Sequence, residues 1–373
     1  MTSAAPATST APPADATGSA LAEQGGSADC PPSLQPGQLT APVRFNSLRM
    51  VSPRKGFAVD ESAVLVTDDG RSWNRRYSGS DPLYSMDAVD ADHARAIGQR
   101  VVLATTDGGR TWLPLTEPAG ATLRAVDFVD AQTGWGATGH HVVRTADGGH
   151  TWREADPPCG GEAVCFTGAD DGWAAIGPRV YRTTDGGDSW KAAFTAPADD
   201  ITRAFNRDSV HAAQMQCARS GIAWVTFIGS ASGSRVGYVT YRGTADGQWT
   251  PVVKEAMAGP QTVQAPAGGT FPGPMSALGA DSAVYVSFTP LAGPAGGLDL
   301  RTATDGGRRL GPARPIPGLF SAAAVSFLTP EVGWAIGAKS GSPAADAVEA
   351  TADGGRTWEE QYSEPIPPPS GSE

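Results

Sequence analysis

Between residues 122 and 154 the chain reads TLRAVDFVDAQTGWGATGHHVVRTADGGHTWRE, and its apolar positions come in short bursts. AVDFV gives way to the polar turn DAQTG, WGAT to a second turn, and HVVRT to a DGG turn, after which TWRE follows. No burst recurs at helical spacing, whereas short apolar runs bounded by Gly and Asp are the pattern of strands. The stretch predicts four short strands joined by three turns. The same grammar returns in AVCFTGADDGWAAIGPRVYRTTDGGDSWK and in AAVSFLTPEVGWAIG with AVEATADGGRTWEE. It is looser in SLRMVSPRKGFAVDESAVLVTDDGRSWN and SMDAVDADHARAIGQRVVLATTDGGRTW.

Seven DG turns anchor the repeat, at Asp68, Asp107, Asp147, Asp185, Asp246, Asp305 and Asp353, with gaps of 39, 40, 38, 61, 59 and 48 residues. Four strands at such a period make one propeller blade, read from innermost to outermost. The expected fold is all-β: a seven-bladed β-propeller of four-stranded antiparallel blades over residues 41–364. Closure into a ring removes the sheet edges that invite aggregation. The Ala/Thr/Ser/Pro-rich stretch 1–40 and the tail 365–373 are expected to be disordered.

The most regular part of each unit is T-x-D-G-G-x-(S/T)-W, at residues 105–112, 145–152, 183–190 and 351–358. An Asp there can accept hydrogen bonds from amides of its own turn, and the glycines supply positive φ at little steric cost. The box is therefore expected to fix the turn between third and fourth strands. Its Trp (Trp73, Trp112, Trp152, Trp190 and Trp358) is expected to open the fourth strand and cover the third. Calcium loops also use DxDG-like runs, but each box lacks the further carboxylates and the bidentate Glu of an EF-hand, so no metal is expected.

Composition narrows the function. Net charge is −11 and the pI about 4.9, leaving no basic stripe for phosphates, so nucleic acid is excluded as a partner. No apolar run is long enough to span a bilayer. The N-terminal stretch has neither the basic start nor the apolar middle of a signal peptide. Such tethers commonly stand between a membrane anchor and an exported domain, which places the ring outside the cytoplasm; an ordinary cytosolic tail is the alternative. Four cysteines, Cys30, Cys159, Cys165 and Cys217, fit two disulfides with three possible pairings. Cys165 and Cys217 also lie in apolar strand patterns that suit buried small side chains. Neither CxxC nor zinc-ligand spacing occurs.

The boxes resemble the Asp-box, or BNR, repeat. With the upstream GW-A-x-G strand they look like the exported Asp-box propellers related to the photosystem II stability/assembly factor family, over about residues 43–363. Asp107, Asp147, Asp185 and Asp353 match the box fully, and Asp68 matches with Val66 in place of the first Ser/Thr. The fifth, TADGQW, is short, and the sixth, ATDGGRRL, lacks its Trp. The repeat also occurs in sialidases, xyloglucan-cleaving glycosidases, sorting receptors and non-catalytic assembly factors, so the resemblance implies a fold and leaves the function open.

A sialidase needs an arginine triad, a Tyr nucleophile with a Glu, and an acid/base Asp. The chain offers Arg44 in VRFNS without the expected Ile-Pro, and Tyr84, Tyr181, Tyr241 and Tyr285 sit in or beside strands. Most acids lie in turns, where turn formation explains them. GxSxG, HExxH and phosphate-cradling loops are absent. The expected function is a non-catalytic extracytoplasmic binding or assembly scaffold, monomeric and without a cofactor, that presents a propeller face to a protein or glycan. A carbohydrate-active enzyme is the alternative. Arg49, Arg124, Arg203 and His211 fall near the ends of innermost strands and are the candidate binding residues. His140 and His141 are read as exposed turn residues.

Overall fold

The computed structural model describes residues 46–118, 122–138, 141–200, 210, 212–218, 220–232, 235–255, 271–289, 297–339 and 344–366. The expected sequences 1–40 and most of the tail lie outside these residues, and the last outermost strand, Glu359–Pro365, reaches one residue into that tail. Seven antiparallel sheets form, each from strands consecutive in the chain. The innermost strands are Ser47–Met50, Leu83–Ala88, Ala125–Phe128, Ala163–Phe166, Ala212–Ala218, Phe271–Ala277 and Leu319–Phe327, which we assign to blades one to seven. Innermost strands of neighbouring blades touch all round, blade seven against blade one included. The fold is the expected seven-bladed propeller; blade six adds a short fifth strand, Arg314–Pro315, on its third.

Blades one to four use strands of two to six residues, as the bursts predict, while the second strand of blade five, Ile222–Ser232, runs to eleven. Apolar side chains meet mainly between blades. The seam of blades one and two holds Phe57, Val59, Val64 and Val66 against Leu83, Met86, Ala96 and Leu103, and that of three and four holds Trp135 against Phe166.

The box turns show why their letters repeat. In blade two the Thr105 hydroxyl accepts from the Gly109 amide (2.8 Å) and donates to Asp107 (2.9 Å), and the other box residue, Thr111, donates to both carboxylate oxygens of Asp107. Gly108 and Gly109 stand at φ 74° and 80°, where a side chain would be strained. The amide of Thr111, with its hydroxyl, holds the Asp107 carboxyl down at about 2, and Thr357 does the same for Asp353. A depressed folded value means that this contribution is present above the ordinary carboxylate range and is lost as pH falls through about 2. Asp147 and Asp185 hold Thr151 and Ser189 by the same pattern.

Blade one differs by one residue. Its box, Thr67 to Trp73, is one shorter than the others, so the turn is held by Asp69, not Asp68: Asp69 accepts from the amides of Arg71 (2.8 Å) and Ser72 (2.7 Å). Asp68 instead pairs with Lys55 (2.6 Å) through a carboxylate that is itself exposed. Asp69→Ala is therefore expected to lower the melting temperature and to expose the Ser72 amide to hydrogen exchange. Asp68→Ala should do neither, because exposed pairs contribute little. Equal protection of that amide in the two variants would reverse the assignment.

The box tryptophans reach the preceding blade. Trp112 meets Phe57 of blade one edge-on (87°), Trp190 donates to the Ala155 carbonyl of blade three (2.9 Å), and Trp73 donates to Gln361 of blade seven. Trp152 and Trp358 likewise belong to the apolar clusters shared with the preceding blade. The box thus closes a hairpin and a seam at once.

Candidate binding site in the central channel

The seven innermost strands enclose a channel of about 750 Å³. Cross-strand register makes one position equivalent in every blade: Arg49, Asp87, Asp127, Cys165, Gln216, Ser276 and Ser326 each stand opposite the same point of the second strand. This position reaches toward the next blade. Asp87 accepts from the Phe128 amide (2.8 Å), Asp127 from Phe166 (2.5 Å), Ser276 from Phe327 (3.0 Å) and Ser326 from Met50 (2.9 Å). Gln216 accepts from the Ala277 amide (2.9 Å) and donates to the Met275 carbonyl (2.7 Å). A strand edge that would be left unpaired between sheets is satisfied by these side chains.

Between blades four and five the same position is covalent: Cys165 is bonded to Cys217, with Cα atoms 5.4 Å apart. The reading of these two as buried small side chains is corrected accordingly. Each lies in an apolar strand, yet they face one another across a seam. Cys159 is also disulfide-bonded.

Arg49 is the exception in the series. Its guanidinium lies 3.5 Å from Asp87 and its side chain keeps half of its exposure, so it presents a cation to the channel. Arg124 does not line the channel; it is half-buried beside Tyr84. Arg203 and His211 lie outside the described residues. The four are therefore not brought together as one described site.

Tyr84 has the carboxylate and guanidinium company that a nucleophilic Tyr would need, Glu117 and Arg124. Its chemistry runs the other way. The hydroxyl donates to the Leu123 carbonyl (2.7 Å), and burial, with Glu117, pushes it up to about 12. An activated nucleophile requires a lowered value. Among the described residues His141, Glu154 and Asp156 gather ligand atoms within 4.8 Å. Asp156 already accepts from His141 (2.6 Å) and from the Val142 amide (2.5 Å), and Glu154 is raised chiefly by its hydrogen bond to Asp156. His141 is thus half-buried, not an exposed turn residue.

Sequence reasoning missed a row of cations that dock the boxes. Lys55 donates to the Gly108 carbonyl (2.6 Å), Arg95 to Gly148 (2.8 Å), Arg182 to Ala245 (2.5 Å) and Arg314 to Gly354, each in the next blade. Arg144 lies over Trp135, whose indole donates to Gly186 (3.0 Å). For Arg144 and Arg182 the signal was an Arg immediately before the box Thr, in VRTADGG and YRTTDGG; Lys55, Arg95 and Arg314 share no such mark.

Among the described residues no helix is long and apolar enough to cross a membrane. No protein-family model and no curated protein matches the chain. Solved structures do. YCF48 bound to D1 peptide superposes with a TM-score of 0.51 at 21% identity, over 75% of this chain and 82% of the other. YCF48 from Cyanidioschyzon merolae gives 0.53 at 19%, over 78% and 88%. The GH74 xyloglucanase from Xanthomonas campestris gives 0.52 at 17%, over 76% of this chain and 45% of the enzyme. At these identities the likeness is one of fold, and the fold is a seven-bladed propeller of four-stranded antiparallel blades.

Proposed function

We propose that the chain is a non-catalytic binding or assembly scaffold, an Asp-box propeller working outside the cytoplasm, that takes an acidic polypeptide segment at the Arg49 end of its channel. The observation that carries this reading is how the channel aspartates are used. Asp87 and Asp127 each commit an oxygen to the backbone of the next blade, so neither is positioned as a freely protonating acid/base pair. Arg49 is half-exposed in the same channel and can offer a carboxylate a forked partner. The Cys165–Cys217 bond supports an oxidising compartment. The neighbouring YCF48 propeller carries a D1 peptide, which supports a polypeptide as partner over a glycan.

The test is a pull-down from the native envelope fraction with the full chain and with Arg49→Gln. Peptides of the recovered partner are then titrated by calorimetry. A segment bound by the native chain and weakened about tenfold by Arg49→Gln, the usual scale for one lost charged contact, is the expected result. Capture of glycans alone, with turnover of a glycoside, would replace the scaffold by an enzyme.

A further inference from the structure

The seam between blades five and six is built unlike the seam between blades one and two. Register maps Val59 and Val64 of blade one onto Thr226 and Thr240 of blade five, and Ala96 and Leu103 of blade two onto Tyr285 and Arg301 of blade six. Four apolar positions have become polar in one place. They surround a cavity of about 20 Å³, also bordered by Ser287, Met275 and Leu310. That volume suits one water-sized or monatomic species.

Three polar atoms of its lining residues are not satisfied by the protein. The Tyr285 hydroxyl, the Ser287 hydroxyl and the Arg301 Nε–H are all buried without a hydrogen-bond partner. Such groups cost about 1–3 kcal/mol each when left unmet, so three converging on one cavity mark a place that something fills. Thr226 and Thr240 share a hydrogen bond of 2.8 Å, which leaves one more hydroxyl hydrogen available. Burial keeps the Tyr285 phenol protonated and hence a donor.

The occupant's charge follows from the donor set. Arg301 can only donate, and the two hydroxyls can each donate as well. No acidic residue borders the cavity, and no ion pair joins Arg301 to a carboxylate among the described residues; Asp299, two residues along its strand, forms none. Its other contact, from Nη1 to the Gly311 carbonyl at 3.4 Å, is neutral. We propose that this seam holds one small monovalent anion of halide size, bound by Arg301, Tyr285 and Ser287, which completes the packing of blade five on blade six.

The experiment uses the full chain in sodium chloride, sodium bromide and sodium gluconate at equal ionic strength. A ligand that binds only the folded ring raises the melting temperature saturably; about 2 °C or more with either halide over gluconate is expected. Crystals grown in bromide should show an anomalous peak within hydrogen-bond reach of Arg301 Nε, and Arg301→Met should abolish both effects. Melting temperatures identical in the three salts, or a bromide crystal with only water density at the cavity, would overturn the proposal. Both readouts are made on the native chain, so they decide even where Arg301→Met fails to fold.

Discussion

Replacing Cys165 and Cys217 together by serine should lower the unfolding free energy by about 4 kcal/mol, the loop-closure scale for their sequence separation of 52. The reason is positional as well as entropic. At this point of the other described seams from blade two onward, a side chain accepts a backbone amide of the next blade, and here the disulfide takes its place. The serine pair loses the covalent link; a hydroxyl at position 165 can still accept the next amide, as Ser276 and Ser326 do, but only as a neutral acceptor. A chain with Cys165→Asp and Cys217→Ala should recover part of the loss, since Asp127 shows that an aspartate at this position reaches the next strand. Guanidinium unfolding followed by tryptophan fluorescence, with and without reductant, measures both. An unchanged midpoint after reduction would show that the seam is held by its apolar contacts alone.

Trp135→Ala is expected to cost as much, about 4 kcal/mol, the range for truncating a fully buried Trp. Its ring stacks on Phe166 of the next blade at 3.5 Å and 5°, Arg144 lies over the ring 5.4 Å from its centroid, and its N–H is satisfied by the Gly186 carbonyl. The truncation leaves a cavity, an orphaned carbonyl and a half-buried guanidinium without its aromatic surface. Trp135→Phe should keep the stack and lose the hydrogen bond, for a cost of about 1 kcal/mol. Denaturant midpoints of the two variants separate the contributions; near-equal losses would mean that the hydrogen bond, not the packing, dominates.

Much of the fold was legible because each blade repeats one local code. Strand bursts, the GW strand and the DGG turn are short-range signals, and short-range signals survive in a sequence. Blades five and six were harder because their boxes had decayed: in blade six Ala303 stands two residues before Asp305, where the others have the box Thr, and Asp305 itself takes φ 54°. The slip from Asp69 to Asp68 has the same origin. TDDGRSW offers two aspartates, and only the hydrogen bonds say which one faces the turn amides.

The candidate site was less legible, since it depends on register between strands far apart in the chain. Arg49, Asp87, Asp127, Cys165, Gln216, Ser276 and Ser326 share no residue type, so nothing in the letters marks them as one position. Arg49 was found because an Arg near the end of an innermost strand is conspicuous in an acidic chain. Arg124 met the same criterion and points elsewhere. The polar seam of blades five and six was hidden for a further reason: Thr, Tyr and Arg are ordinary strand residues until their neighbours are known.

Each sheet is drawn from one unbroken stretch of chain, and among the described residues blade seven closes on blade one through contacts that each involve a side chain: Ser326 to the Met50 amide, Gln361 accepting from both Trp73 and Trp334, and Arg75 bridging Asp60 and Glu364. Among the described residues no strand is lent from one end of the molecule to the other. The place where the polypeptide starts and stops is therefore topologically arbitrary. A rearranged gene that opened the chain between Leu115 and Ala125, and spliced the old ends together, would encode the same seven sheets in the same circular order.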